Sequence, residues 1–333
     1  MKQTALGIDI GGTFTKFGLS DIDGNILMEG SIPTYTHKEI NGFMDALSEA
    51  IREKLDQIIE PIDIIGIGIG APNGNYYKGT IEHAPNLHWK GIIPFIDLFT
   101  AYFDLPMIMT NDANAAAIGE KVFGGAKDMQ DFIVVTLGTG LGSGFVTRGK
   151  LIYGHDGLAG ELGHTNVYPD GRECNCGKRG CLETYASASG IKRTVFKLLA
   201  TNNIETPLRN YTYDSLTSKK ITEMALAGDR IALEAYEYTS DILGLKLADA
   251  AAVTSPECIF LFGGLAKAGD ILVDATSKAF EEYLYPGYKG KIKIKLSELM
   301  DKNAAVLGAS ALVWSEIAQS DQIRVPQQTK VIA

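Results

Sequence analysis

The chain has 333 residues, 45% hydrophobic and 21% charged, enough apolar material for two domains of ordinary size and a composition that excludes a largely disordered protein. A formal net charge of −9 gives no general attraction to polyanions, so nucleic acid is not an expected partner. With no apolar run near the roughly 20 residues of a membrane span and no signal-peptide pattern at the start, no membrane is expected and the cytoplasm is the expected address.

An apolar strand from Ala5 to Ile10, a Gly11-Gly12-Thr13 turn, a strand from Lys16 to Ser20, an Asp23-Gly24-Asn25 turn and a strand from Ile26 predict an antiparallel meander. A helix is predicted over about residues 39 to 59. Beyond it Ile65, Ile67 and Ile69 alternate with Gly66, Gly68 and Gly70, which puts isoleucines on one strand face and bare backbone on the other. Bare backbone suits the close approach of another element or a ligand. A strand from Met107 to Thr110 leads through Asn111-Asp112 into an alanine-rich helix, Ala113 to Phe123, stopped by Gly124-Gly125.

The opening pattern then recurs: strand Phe132 to Leu137, turn Gly138-Thr139-Gly140, strand Gly144 to Thr147, turn Arg148-Gly149 and a third strand from Leu151. The recurrence predicts two related lobes, each presenting a glycine turn to a shared cleft. Residues 186 to 254 read as mainly helical, with a polar interruption at 202 to 218. A strand Cys258 to Phe262, a Gly263-Gly264 turn, a helix from about Asp270 to Tyr283 and a Lys/Ile strand from Lys291 to Leu296 follow, the lysines suiting an exposed sheet edge. A final helix, Ala304 to Ile317, is placed to pack back on the first lobe, and the polar tail after Ser320 is the exception to the folded composition.

Each glycine turn joins two strands, where backbone N–H groups and a threonine hydroxyl converge on phosphate oxygens, or where a hairpin merely needs glycine. Neither turn is a P-loop or a dinucleotide fingerprint, because no Gly-Lys-Ser/Thr leads into a helix and the glycines join strand to strand. Three of the four cysteines, Cys174, Cys176 and Cys181, fall within eight positions. With His164 they supply the one nitrogen and three sulfurs of a closed structural Zn2+ site; the alternative is reduced thiols beside an unrelated histidine. Cys258, in a strand, reads as a small core residue. Asp112, at the carboxyl end of a strand, stands where α/β folds place active-site groups, and equally where a helix takes its N-cap.

Gly7 to Thr13 resembles the first phosphate motif of the actin-like sugar kinases, Leu137 to Gly144 the second, and Phe262-Gly263-Gly264 the adenosine motif. Gly160 to His164 followed by Cys174 to Glu183 resembles the signature of the ROK family (repressors, ORFs and kinases), and Cys181 to Ser187 is closest to its bacterial glucokinases. The resemblance implies an α/β, two-lobed actin-like ATPase (ribonuclease H-like) sugar kinase fold with a structural zinc loop. It implies transfer of the γ-phosphoryl group of ATP, with Mg2+, to a hexose. Glucose is the first choice, and N-acetylmannosamine, N-acetylglucosamine or fructose the alternatives. Regulators of this family carry a DNA-binding domain ahead of the first motif, for which a motif starting at residue 7 leaves no room.

The same resemblance makes Asp112 the general base, Asn111 a ligand of a neighbouring hydroxyl, and Asp9 the holder of Mg2+. Gly11, Gly12, Thr13, Gly138, Thr139 and Gly140 fall on phosphates, and Gly263 and Gly264 on adenosine. Lys16 either touches a phosphate or is a solvated strand lysine. Glu161, His164 and Glu183 fall on sugar hydroxyls. Gly74 and Asn75 are weaker sugar candidates, in a loop that departs from the Pro-Gly wording of many relatives. A homodimer is expected, with an N-terminal lobe over residues 1–112, a larger lobe over 113–302 and a returning segment over 303–333.

Overall fold

The computed structural model describes residues 1–300 and 302–318; the tail after Ser320 lies outside the described residues. The chain opens with the meander β1 (Lys2–Ile10), β2 (Phe14–Ser20) and β3 (Ile26–Pro33), followed by helix α1 (Ile40–Leu55) and strand β4 (Ile62–Gly70). Short strands β5 (Gly74–Asn75), β6 (Thr80–Glu82) and β7 (Ile92–Ile93) form a small sheet, and helix α2 (Phe95–Phe99), strand β8 (Met107–Thr110) and helix α3 (Asp112–Phe123) come next. The main sheet has the order β3-β2-β1-β4-β8, antiparallel through the meander and parallel from β1 through β4 to β8.

A second sheet repeats this plan. Strands β9 (Phe132–Leu137), β10 (Leu141–Thr147) and β11 (Lys150–Leu151) form its meander. Helices α4 (Ala188–Thr201), α5 (Ser218–Leu226) and α6 (Arg230–Thr254) precede strand β12 (Cys258–Phe262), helix α7 (Asp270–Tyr283), strand β13 (Lys293–Leu296) and the last helix α8 (Ala304–Ala318). The order is β11-β10-β9-β12-β13, again two antiparallel pairings followed by two parallel ones. The predicted recurrence is thus a shared topology. Side chains of Ser187, Thr217 and Asp229 cap α4, α5 and α6 by accepting from backbone N–H groups, and β13 lies at the sheet edge with Lys293 and Lys295 exposed.

Contacts divide the chain into one compact unit of Met1–Asp128, Tyr153–Ala159 and α8, and another of Met129–Ile152 with Gly160–Met300. This differs from a boundary after residue 112. Helix α3 belongs to the first unit because it packs on α8, which also covers β1 and β4. The third meander strand of the second sheet is only two residues long because the chain leaves that unit at Tyr153 and rejoins it at Gly160.

The two faces of β4 explain how the first unit is built. Ile67 and Ile69 join Leu6, Ile8, Phe43, Leu47 and Ile51 in the apolar core on one side. On the other, α8 rests directly on backbone: a Cβ at Gly68 would lie 1.9 Å from the Ala309 carbonyl oxygen, and one at Gly7 2.3 Å from that of Val306. Side chains there would push the helix off its sheet, so Gly68→Ala should cost about 1–3 kcal/mol or more, read as a lowered denaturant midpoint. A midpoint equal to that of the parent would show that α8 is not seated so closely.

Near the tip of the β2–β3 hairpin, Asp21 is almost fully buried and its carboxylate accepts from Lys2 Nζ at 2.7 Å and from the Asn25 N–H at 2.8 Å. Burial alone would raise its pKa, but the bonds from Lys2 and Asn25 outweigh this and lower it to about 2. Its contribution is therefore present above the ordinary aspartate range and lost as pH falls towards 2. Asp21→Asn should destabilise the protein at pH 7 by about 2 kcal/mol, with the gap to the parent closing in acid unfolding curves. A gap that stays constant with pH would overturn this assignment.

Candidate active site and metal centre

The carboxyl ends of β1, β4 and β8 bring Asp9, Gly70 and Asn111-Asp112 together. A Cβ on Gly70 would lie 3.5 Å from Asp9 Oδ1 and 3.9 Å from Asp112 Cα, so the absent side chain makes room for both acids. Burial first, and then the Asp112 charge, push Asp9 up to about 7, while Lys16, its cross-strand partner, works in the opposite direction. Asp112 is reached by solvent yet ringed by protein, and desolvation raises its carboxyl above the ordinary range against the backbone N–H of Ala113 that it accepts from at 2.9 Å. Two neighbouring acids, one of them raised by the charge of the other, make a place for a cation, the chemistry of a Mg2+ site.

The N-cap of α3 proves to be Asn111, whose Oδ1 accepts from the Asn114 N–H at 2.7 Å. Asp112 is the first helical residue, so capping does not occupy it. Asn111 keeps its NH2 group for another partner. Behind this corner, Thr110 Oγ1 accepts from Asn114 Nδ2 at 3.1 Å and lies near the hydroxyl of Tyr153, whose ring stacks on that of Tyr76 with centres 4.0 Å apart. Nothing in the sequence marks Tyr153 for this contact.

Gly74 and Asn75, expected near the sugar, are buried against neighbouring backbone. A Cβ at Gly74 would lie 2.4 Å from the Thr110 carbonyl oxygen. Asn75, 1% exposed, accepts from the N–H groups of Tyr77 and Lys78 and donates to the Asp156 carbonyl at 2.8 Å. Both residues therefore hold the backbone that precedes Asn111 and the 153–159 segment. In the first glycine turn, Gly11 and Gly12 allow the close passage of the Phe14 and Asn86 carbonyls, and Thr13 and Lys16 are exposed.

In the second unit, the Gly138 carbonyl accepts from the Ala188 N–H at 2.9 Å and the Thr139 carbonyl from the Ser189 hydroxyl at 2.8 Å. Because a trans peptide points its N–H opposite to its carbonyl, the N–H groups of Thr139 and Gly140 face away from α4. Gly263, at φ +105°, lies against the end of β9: a Cβ there would be 2.7 Å from the Leu137 carbonyl oxygen. The adenosine-like turn and the second phosphate-like turn are neighbours, and nothing crowds Gly264.

The metal loop lies beside them. The ligand atoms of His164, Cys174, Cys176 and Cys181 all lie within 4.8 Å of one another. Cys174 Sγ is 3.7 Å from His164 Nδ1 and Cys176 Sγ is 3.7 Å from Cys181 Sγ. Metal–sulfur bonds of about 2.3 Å in a tetrahedron place ligand atoms about 3.8 Å apart, so the set fits zinc. Burial pushes the Cys174 thiol up to about 12, a penalty that a divalent cation reverses. The loop closes on itself through Cys174 N–H to Lys178 and Gly177 N–H to Cys174, with Gly177 and Gly180 at positive φ.

With Nδ1 towards the sulfurs, His164 turns Nε2 to the other side, 4.0 Å from Glu161 Oε2. Ser143 of β10 anchors this turn by donating to the Gly160 carbonyl and accepting from the Leu162 N–H. Glu183 reaches the second glycine turn: its Oε2 accepts from the Leu141 N–H at 3.2 Å and lies where a Cβ of Gly140 would be. Its Oε1 stands 3.3 Å from Cys174 Sγ. Ser143 and the Leu141 N–H carry no signal that spacing alone could have revealed.

Fold and site together define an ATPase of the actin-like class with a zinc-type loop. The chain belongs to the ROK family, whose model matches residues 5–316. It is 36% identical to a glucokinase of Halalkalibacterium halodurans over 318 residues, 92% of this chain and 94% of the relative. A crystal structure of a ROK family glucokinase from Streptomyces griseus in complex with glucose and AMPPNP superposes with a TM-score of 0.79 at 32% identity, covering 94% of this chain and 100% of that one. A xylose repressor of Caldicellulosiruptor bescii is 30% identical over 94% of this chain and 78% of its own length.

Proposed function

We propose that this protein is an ATP-dependent hexose kinase that phosphorylates glucose. The observation that carries this reading is the pair Asp9 and Asp112 on either side of Gly70, beside an alanine-helix N-terminus and a glycine turn. Phosphoryl transfer demands little covalent chemistry of a protein; it needs an oriented base and a neutralised triphosphate. Asp112, with its raised carboxyl, accepts the proton of the attacking sugar hydroxyl, and the NH2 of Asn111 orients a neighbouring hydroxyl. Asp9 would hold Mg2+, which would offset the charge on the phosphates. The N–H groups of Gly12, Thr13, Thr139 and Gly140 take the phosphates, and Gly263 and Gly264 pass the adenosine. Lys16 offsets negative charge close to Asp9.

Glu161, His164 Nε2 and Glu183 take sugar hydroxyls, and a site built to bond hydroxyls rejects analogues that lack one. His164, Cys174, Cys176 and Cys181 would hold zinc as a closed structural site that keeps those sugar ligands in place. Resemblance to the family supports a cytoplasmic homodimer; among the described residues no helix is long and apolar enough to cross a membrane. A coupled assay of ATP consumption over a panel of hexoses tests the function. Glucose should give the highest kcat/KM, and turnover of ATP that ignores added sugar would refute it.

A further inference from the structure

Arg172 stands on the metal loop two residues before Cys174, half-buried. Tyr238, Arg193, Tyr185 and Tyr213 are the charged and titratable groups that act on it most, and among the described residues it forms no ion pair. A guanidinium withdrawn from water without a counter-ion is costly unless its donors are used, so the groups that hold it identify its job. Nη1 donates to the Thr184 carbonyl at 2.7 Å and to the Gly190 carbonyl at 3.0 Å, and Nη2 donates to Thr194 Oγ1 at 3.0 Å. The guanidinium carbon lies 4.5 Å from the Tyr185 ring centre and 6.0 Å from that of Tyr238. The Arg172 N–H itself donates to the Tyr185 hydroxyl at 3.0 Å, and only a glycine at 171 permits this, since a Cβ there would lie 2.2 Å from that oxygen.

These bonds span the 3-10 turn Leu182–Thr184 and the first turns of α4. The middle residue of that 3-10 turn is Glu183. On its N-terminal side the turn is tied to the metal ligand Cys181; on its C-terminal side it is tied to Arg172. We propose that Arg172 is a positioning residue, a brace independent of the metal that holds the Glu183 carboxylate over Gly140 and Leu141 where it meets the hexose. This rests on reading Glu183 as a hexose ligand. The planar fork of arginine suits the task, because it fixes two carbonyls and a hydroxyl in one plane as a lysine does not.

Arg172→Met removes the donors and keeps the apolar stem. Zinc content after gel filtration, hexose KM, kcat at saturating hexose, and the same constants in a Glu183→Gln background are measured. The variant should retain one zinc per chain and kcat within about twofold, and raise hexose KM about tenfold, the low end of what losing an outer-shell partner costs. In the E183Q background R172M should add nothing further. An unchanged KM in R172M, a joint loss of zinc and kcat, or the same KM factor repeated in E183Q would each overturn the proposal. If E183Q alone leaves hexose KM unchanged, the reading of Glu183 fails and this proposal with it. Should R172M not fold, Arg172→Lys, which keeps the charge among the tyrosines and loses the fork, is scored by the same outcomes.

Discussion

Asp112→Asn should lower kcat by about 10² to 10⁴ while glucose and ADP still bind, because the amide retains the shape of the side chain and cannot accept a proton. The structure strengthens this expectation by giving the N-cap of α3 to Asn111, so that helix stability does not hang on the carboxylate. Desolvation raises the Asp112 carboxyl. A base acts in its unprotonated form, so activity should fall as pH drops through that raised value, above the ordinary aspartate range near 4. The pH profile of kcat/KM in the parent should show this acid limb, and the variant should lack it. Near-normal kcat in Asp112→Asn would remove Asp112 from the chemistry.

Cys176→Ser should release zinc and raise the hexose KM by about 10- to 100-fold, with a much smaller change in ADP affinity measured without sugar. His164 is one of the four proposed metal ligands and Glu183 stands two residues from another, Cys181, and both are proposed ligands of sugar hydroxyls. The glycine turns depend on other supports. Gly138 and Thr139 are tied to α4, and the β9–β10 ladder runs up to the Leu137–Leu141 pair. Glu183 does touch the Leu141 N–H, so a modest effect on nucleotide is expected where a complete separation would otherwise be. Unaltered hexose affinity in the zinc-free variant would break the coupling, and an equal loss of ADP binding would mean that the metal holds the whole unit together. Zinc content by atomic absorption and ligand affinities by calorimetry decide among these.

The features that the sequence determined by itself are those whose chemistry is local. Cys174, Cys176 and Cys181 stand in one short loop with glycines that allow a tight wrap, and a loop of that composition has few other ways to fold. Glycine turns between apolar strands, and their recurrence after residue 131, follow from periodicity and turn chemistry, which act over a few residues. The alternation of isoleucine and glycine in β4 announced a bare face.

What sits on that face was a tertiary decision. Helix α8, more than 230 residues later in the chain, fills it at Gly68, and the Asp9–Asp112 pair takes the end at Gly70. Only packing could show that Asn111 rather than Asp112 is the cap, that Asn75 donates to a segment 81 residues away, or that α3 belongs with α8 in the first unit. The case of Arg172 is the clearest. A basic residue in a polar loop reads as solvated, and its burial depends on carbonyls of Thr184 and Gly190 and on tyrosine faces that fold against it from beyond the loop. Short-range rules of turn and strand contain no information about such partners, because each is set by which elements pack together and not by the residues adjoining in sequence.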